Sequence, residues 1–146
     1  PIAAAHEAYS ELRTGGVDMG DRLALLCRVL NRWKERPCDF VPEQEMGVPG
    51  VSVSAVADGM TAKRYIDGRH VQVFPFAIRL VISGRDAREM VDALSFFDRC
   101  TAYLAGAVME LGCDRIAQAT TAARVATGKD GTAAYTARYV MEYRLA

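Results

Sequence analysis

The spacing of apolar residues along the chain switches between two periods, and each switch predicts an element. Leu23, Leu26, Cys27, Leu30 and Trp33 follow at three- and four-residue steps, which predicts an amphipathic helix over 21–35. Asp18 or Asp21 can cap its start, and Pro37 closes its end. A longer stripe of Ala87, Met90, Val91, Leu94, Phe97, Thr101, Leu104, Ala105 and Val108 predicts a second helix over 86–111, capped by Ser83 and ended by Gly112. The Ala-rich stretch 3–13 has only a thin apolar face before Gly15-Gly16 stops it.

Period two appears in Val51–Val56, Ala62–Ile66 and the long run Val71–Ser83. In that run Phe74, Phe76, Ile78, Leu80 and Ile82 share one face, with Val73, Ala77, Arg79 and Val81 on the other. Pro75 cannot donate a ladder hydrogen bond, so an edge or a bulge is expected near it. Asp67-Gly68 is a hairpin-turn dipeptide between the second and third strands. A second hairpin is expected from 115–126 and 132–145 around Gly128–Gly131, with Tyr135, Ala137, Tyr139, Met141, Tyr143 and Leu145 facing inward. Residues 37–50, with three prolines and two glycines, read as a loop. The order α-β-β-β-α-β-β defines an α+β domain, a mainly antiparallel sheet of about five strands covered by two helices. Its core is expected where Leu26, Leu30, Leu94 and Phe97 meet Phe76, Ile78, Tyr139 and Met141.

At 146 residues the chain suits one domain, 1–146, with 1–17 as an N-terminal extension. Eighteen basic residues balance eighteen acidic ones, so no bulk field draws the protein to nucleic acid or an anionic membrane. The longest apolar run, Ala102–Met109, is far too short to cross a bilayer, and a soluble, non-exported protein is expected. Cys27, Cys38, Cys100 and Cys113 are scattered without a C-x-x-C pair, the pattern of reduced thiols rather than disulfides or a zinc site.

Signatures of catalysis fail on spacing. Gly128–Gly131 lacks the upstream glycine and the following hydroxyl of a phosphate loop. No serine or cysteine sits in a nucleophile elbow, and His6 and His70 have no carboxylate at triad or ligand spacing. Asp58-Gly59 and Asp67-Gly68 lack the alternating oxygens of a calcium loop. No cofactor, metal or catalytic residue is expected. Nucleic-acid binding would rest on Lys63, Arg64, Tyr65 and Arg69 with the Arg28, Arg32, Arg36 row, but the last strand's tyrosines alternate as buried residues, not stacking platforms. In that arginine row, like charges at i, i+4 either sit in water or meet an acidic partner.

The central segments Gly50-Val-Ser-Val-Ser-Ala-Val-Ala-Asp-Gly59, Lys63-Arg-Tyr-Ile-Asp-Gly68 and Phe74-Pro-Phe-Ala-Ile78, followed by a long helix and a Tyr-containing last strand, resemble the tail terminator family of long-tailed bacteriophages. Some of its members are labelled minor capsid proteins. The resemblance covers 21–145 in element order, and 1–17 has no counterpart. It implies a virion protein without enzymatic activity, assembled in the host bacterial cytoplasm. Six copies would form a ring on the head-proximal end of the tail tube, ending tube growth and docking the head. Implied partners are the chain itself as a homo-hexamer, the tail tube protein and head-tail connector proteins, with genome DNA passing through the channel and no membrane. The turn bearing Lys63, Arg64, Tyr65, Asp67 and Arg69, projecting from a rigid sheet, is the expected subunit or tube interface. Another phage neck or tail adaptor protein, a small enzyme whose pocket holds His70 or Cys38, and a nucleic-acid-binding module are the alternatives.

Overall fold

The computed structural model describes residues 19–42, 49–56, 61–64, 70–84, 86–127 and 131–145. The predicted Ala-rich segment at the start, the Asp67-Gly68 turn and most of the Gly128–Gly131 turn lie outside the described residues.

The first helix, α1 (Met19–Leu30), buries Leu23, Leu26, Cys27, Val29 and Leu30, with Asp21 in its first turn and Arg28 in its last, both favourable to the helix dipole. It ends five residues earlier than its periodicity predicts, because Asn31 turns its amide to the chain ahead. Asn31 Nδ2 donates to Phe40 O at 3.1 Å, and Phe40 N donates to Asn31 Oδ1 at 2.7 Å. This two-way clamp aligns strand β1 (Phe40–Pro42) inside a segment expected to be loop. Trp33, beyond the helix, still points into the core.

The remaining strands are β2 (Gly50–Ala55), β3 (Thr61–Arg64), β4 (His70–Ile82), β5 (Arg115–Gln118), β6 (Ala123–Thr127) and β7 (Ala133–Leu145). Strands β4 and β7 pair antiparallel over 13 residues each, from His70↔Leu145 to Ile82↔Ala133. Along the other side of β4 run β2 and then β3; along the other side of β7 run β5 and then β6. β1 joins the edge of β2 in parallel, Phe40 opposite Val51. The domain is therefore α+β as expected, but the sheet is mixed rather than mainly antiparallel, and it has seven strands among the described residues, not five. Both departures come from short strands that periodicity cannot register, β1 and the division of 115–126 into β5 and β6. At that division Thr120 replaces ladder bonds: its Oγ1 accepts from Arg138 N at 2.9 Å, while Arg138 O accepts from Ala119 N.

Pro75 lies at a local edge, as one of the two expectations has it, and not at a bulge. β2 pairs with β4 as far as Phe76, and β3 begins at Val73, so Pro75 falls in the handover between them. Its carbonyl accepts from Val56 N, and its own nitrogen faces the same side, just beyond the end of β2, where no ladder hydrogen bond is required of it.

Helix α2 (Ala87–Ala105) is capped by Asp86, whose side chain accepts from Glu89 N at 2.8 Å, in place of the expected Ser83. Ser83 instead donates its hydroxyl to the Glu89 carboxylate. At Gly106 the predicted single helix breaks, and a short α3 (Val108–Leu111) follows, ended by left-handed Gly112. The buried stripe of α2 is Ala93, Phe96, Phe97, Cys100 and Leu104. Leu94, expected in the core, is 43% exposed, because the helix is rotated to favour its aromatic side chains.

α1 and α2 cover the sheet face that carries Phe74, Phe76, Ile78, Leu80, Tyr135, Ala137, Tyr139 and Met141. The other seven predicted core residues, Leu26, Leu30, Phe97, Phe76, Ile78, Tyr139 and Met141, are all buried. Trp33 stacks on Tyr103 at 5.5 Å and packs against Phe96 at 5.9 Å, and Tyr103 donates to Val29 O at 2.6 Å, so the end of α1 is locked to α2. Aromatic mass, not aliphatic count, sets which side of α2 turns inward: Phe96 touches Trp33, Phe40 and Phe97. Placing Phe96 inward carries Leu94 and Val91 outward by helix geometry.

Candidate functional site

Both long helices lie on one face, and no described helix or strand packs on the other, where Ser52, Val73 and Ala134 are buried, Ala77, Val81, Thr136 and Val140 half-buried, and Arg79 and Arg138 exposed. On this outer face the register places Ser52, Arg79 and Thr136 in one row across β2, β4 and β7, and Ser54, Ala77 and Arg138 in the next. Gly50, Val81 and Ala134 lie in the row on one side of this pair, and Pro75 and Val140 in the row on the other, extended by Ala117 of β5. A sheet face meant for water reads mostly polar; this one alternates small apolar rows with a central polar band.

Arg79 and Arg138 are both exposed and stand as diagonal neighbours, roughly 7–8 Å apart across the β4/β7 pair. Neither guanidinium has an ion pair among the described residues. By contrast Arg115, near the margin of the same face, binds Glu142 at 3.1 Å. Thr136 uses its hydroxyl internally, donating to Ile78 O at 3.1 Å. Two like charges held side by side above Ala77, Ser52 and Ser54, without an ion pair among the described residues, form a surface suited to a carboxylate. Alternation places Arg79 and Arg138 opposite the inward sets of their strands but does not link them; the link is the 13-residue register of β4 with β7.

The expected arginine row resolves differently. Arg32 pairs with Glu110 at 2.7 Å, Arg36 pairs with Asp39 at 3.0 Å and donates to Trp33 O at 2.9 Å, and Arg28 is exposed. The acidic partners of two of the three arginines are thus supplied by the chain itself. Of the expected interface turn, Lys63 and Arg64 stand in β3 opposite Val71 and His70, and Tyr65, Asp67 and Arg69 lie outside the described residues.

A cleft of about 330 Å³ opens between the end of β4 and the first turns of α2, lined by apolar Leu80, Ile82, Ala93 and Phe96 and by Glu89, Asp92 and Arg99. Cys38 is half-buried and does not line it. All four cysteines are free thiols. Burial pushes Cys27 up to about 11 and Cys100 up to about 12, and raises Cys38 and Cys113 as well, so each is protonated and a poor nucleophile at neutral pH. The described residues contain no cluster of three metal-ligating side chains and no helix long and apolar enough to cross a membrane.

Comparison with family models and with curated proteins gives no match.

Proposed function

We propose that the chain is a structural protein of a phage tail, a terminator that forms a ring on the head-proximal end of the tail tube, stops tube growth and offers the surface to which the head docks. The observation that carries this reading beyond the resemblance of the segments around Gly50, Lys63 and Phe74 is the outer face of the sheet. Small apolar rows flanking two exposed arginines that have no ion pair among the described residues suit burial against protein better than contact with water. A ring needs each subunit to present one surface to the neighbour before it and a different one to the neighbour after it. On this reading the partners are other copies of the chain, the tube protein and the head-side connector, with DNA passing through the centre unread. On the same reading the segment 63–69 supplies contacts to the tube rim or to a neighbour.

Mass measurement of the purified full chain, with negative-stain images, tests the reading. Six-fold rings with a central channel are expected; a monomer that neither closes into rings nor caps tubes overturns it.

A further inference from the structure

Arg79 and Arg138 are exposed side chains of the outer face, and the chain carries a surface that complements them. Val91, Leu94, Asp98 and Ala105 follow on α2 at steps of three, four and seven residues, forming a ridge turned away from the protein's own core. Val91 is 61% and Leu94 43% exposed, among the few large apolar side chains the described residues leave in water. Strand β6 runs beside this ridge, since Arg124 reaches Met90 Sδ at 3.9 Å, and the residue at its register shift, Val125, is 51% exposed. Asp98 is exposed in the middle of the ridge, with no ion pair among the described residues. Arg88, Asp92 and Arg99 lie on the flank beyond Val91 and Arg124 lies beside Met90, so Asp98 is the charge within the ridge row itself.

We infer that the outer sheet face of one copy receives the α2 ridge of a second copy, with Asp98 placed between Arg79 and Arg138. The inference rests on the ring reading above and names the contact that would build the ring. Apolar ridge residues meet the half-buried Ala77, Val81 and Val140, and one carboxylate answers two guanidiniums, which supply fork-shaped donors to its oxygens. Small floor residues matter here because a helix can approach a sheet closely only where no bulky side chain stands in its path. The two surfaces lie on opposite sides of the molecule, the sheet between them. A copy therefore docks one neighbour at its front and another at its back, and the rotation per step decides whether the chain of contacts closes.

The test uses the full chain in two charge-reversed forms, Arg79→Glu with Arg138→Glu on the sheet side, and Asp98→Arg on the ridge side. All three residues are exposed, and circular dichroism melts verify that each variant folds. Sedimentation velocity and single-particle mass measurement are made where the wild type assembles. Each variant by itself is expected to associate roughly tenfold or more weakly, because like charges then face each other. An equimolar mixture restores assembly. The unaltered Asp98 ridge of one chain fits the unaltered arginine face of the other, and the arginine introduced at position 98 fits the introduced glutamate pair. Wild-type assembly left intact by both variants overturns this contact while leaving the ring reading in place. Assembly lost in the variants but not restored by mixing overturns the pairing of these two surfaces. A wild-type chain that stays monomeric overturns the ring reading itself. Should the charge-reversed forms fail to fold, Arg79→Ala with Arg138→Ala gives the milder sheet-side variant, expected to weaken assembly in the same direction.

Discussion

Replacing Phe97 by Ala tests the orientation of α2, and with it the division of the molecule into core and ridge. Phe97 is fully buried, its ring edge-on to Phe96 at 5.0 Å, and it lies among the side chains that join α2 to the sheet. Removing a buried phenylalanine ring takes away its transfer free energy and leaves a cavity the neighbours fill only in part, about 3–5 kcal/mol in total. Phe97 O, which accepts from Thr101 Oγ1 at 2.8 Å, belongs to the backbone and survives the substitution, so the loss measures packing and not hydrogen bonding. Leu94→Ala is the control. At 43% exposure its side chain keeps much of its surface in water, and its truncation is worth roughly 1 kcal/mol or less. Urea denaturation of both variants, read at constant m, gives the two losses directly. Domains of this kind have about 5–15 kcal/mol of stability, so the Phe97 variant loses a large share of it and the Leu94 variant little. Equal losses, or a larger loss at Leu94, would return the inward stripe to the side its simple periodicity predicts and remove the ridge.

Three other perturbations are informative. Cys27 and Cys100 deprotonate at about 11 and about 12 in the folded chain against 9.0 ordinarily, so above pH 9 the unfolded chain loses thiol protons first and stability falls with rising pH. Each thiol contributes a slope approaching about 1.4 kcal/mol per pH unit up to its folded pKa, and Cys100→Ala should flatten the fall measured by urea midpoints at about pH 8 and about pH 10; an unchanged slope would exclude the thiol as its cause. Gly84 has φ +67°, and an added Cβ would stand 2.6 Å from Gly131 O, so Gly84→Ala should cost roughly 2 kcal/mol by thermal melting, whereas Gly112→Ala, at φ +68° with open space around it, should cost about 1 kcal/mol. The Arg32–Glu110 pair is exposed on both sides, and a double-mutant cycle should give under about 1 kcal/mol, fading in high salt; a larger, salt-resistant coupling would mean the pair anchors α1 to α3.

Long regular elements were legible in the sequence because their period repeats often enough to outvote exceptions. The inward set of β7, Tyr135 to Tyr143, and that of β4, Phe74 to Leu80, stand in the core as their alternation predicts. Helix α1 was legible in its face but not in its end, since nothing in local pattern says that the Asn31 amide is claimed by Phe40, nine residues on. β1 and the β5/β6 division escaped for the same reason: three to five residues carry too little alternation, and their strand character comes from partners far along the chain. The stripe of α2 failed in a more instructive way. Leu94 and Phe97 fit a helical spacing, but so do Ala93, Phe96 and Cys100 at steps of three and four, and the choice between two overlapping stripes is made by the shape of the opposing surface. Trp33, Tyr103 and Phe40 leave room for an aromatic ring, and Phe96 fills it.

The candidate interface stayed hidden for a related reason until the strand register was known. Alternation assigns the odd positions of β4 and the even positions of β7 to solvent, a sound rule for a sheet with one covered face. It treats Ala77, Val81 and Val140 as incidental and Arg79 and Arg138 as ordinary surface charges, because on the chain the two arginines are 59 positions apart. Pairing Arg79 with Thr136 and Ala77 with Arg138 makes them neighbours on one floor, flanked by apolar rows that water does not favour. The basic segment 63–69 concentrates its charge locally along the chain, whereas the outer face collects its charge from two strands distant in sequence. A surface that has to recognise a folded partner is assembled across strands in this way, and its chemistry is stated by topology rather than by motif.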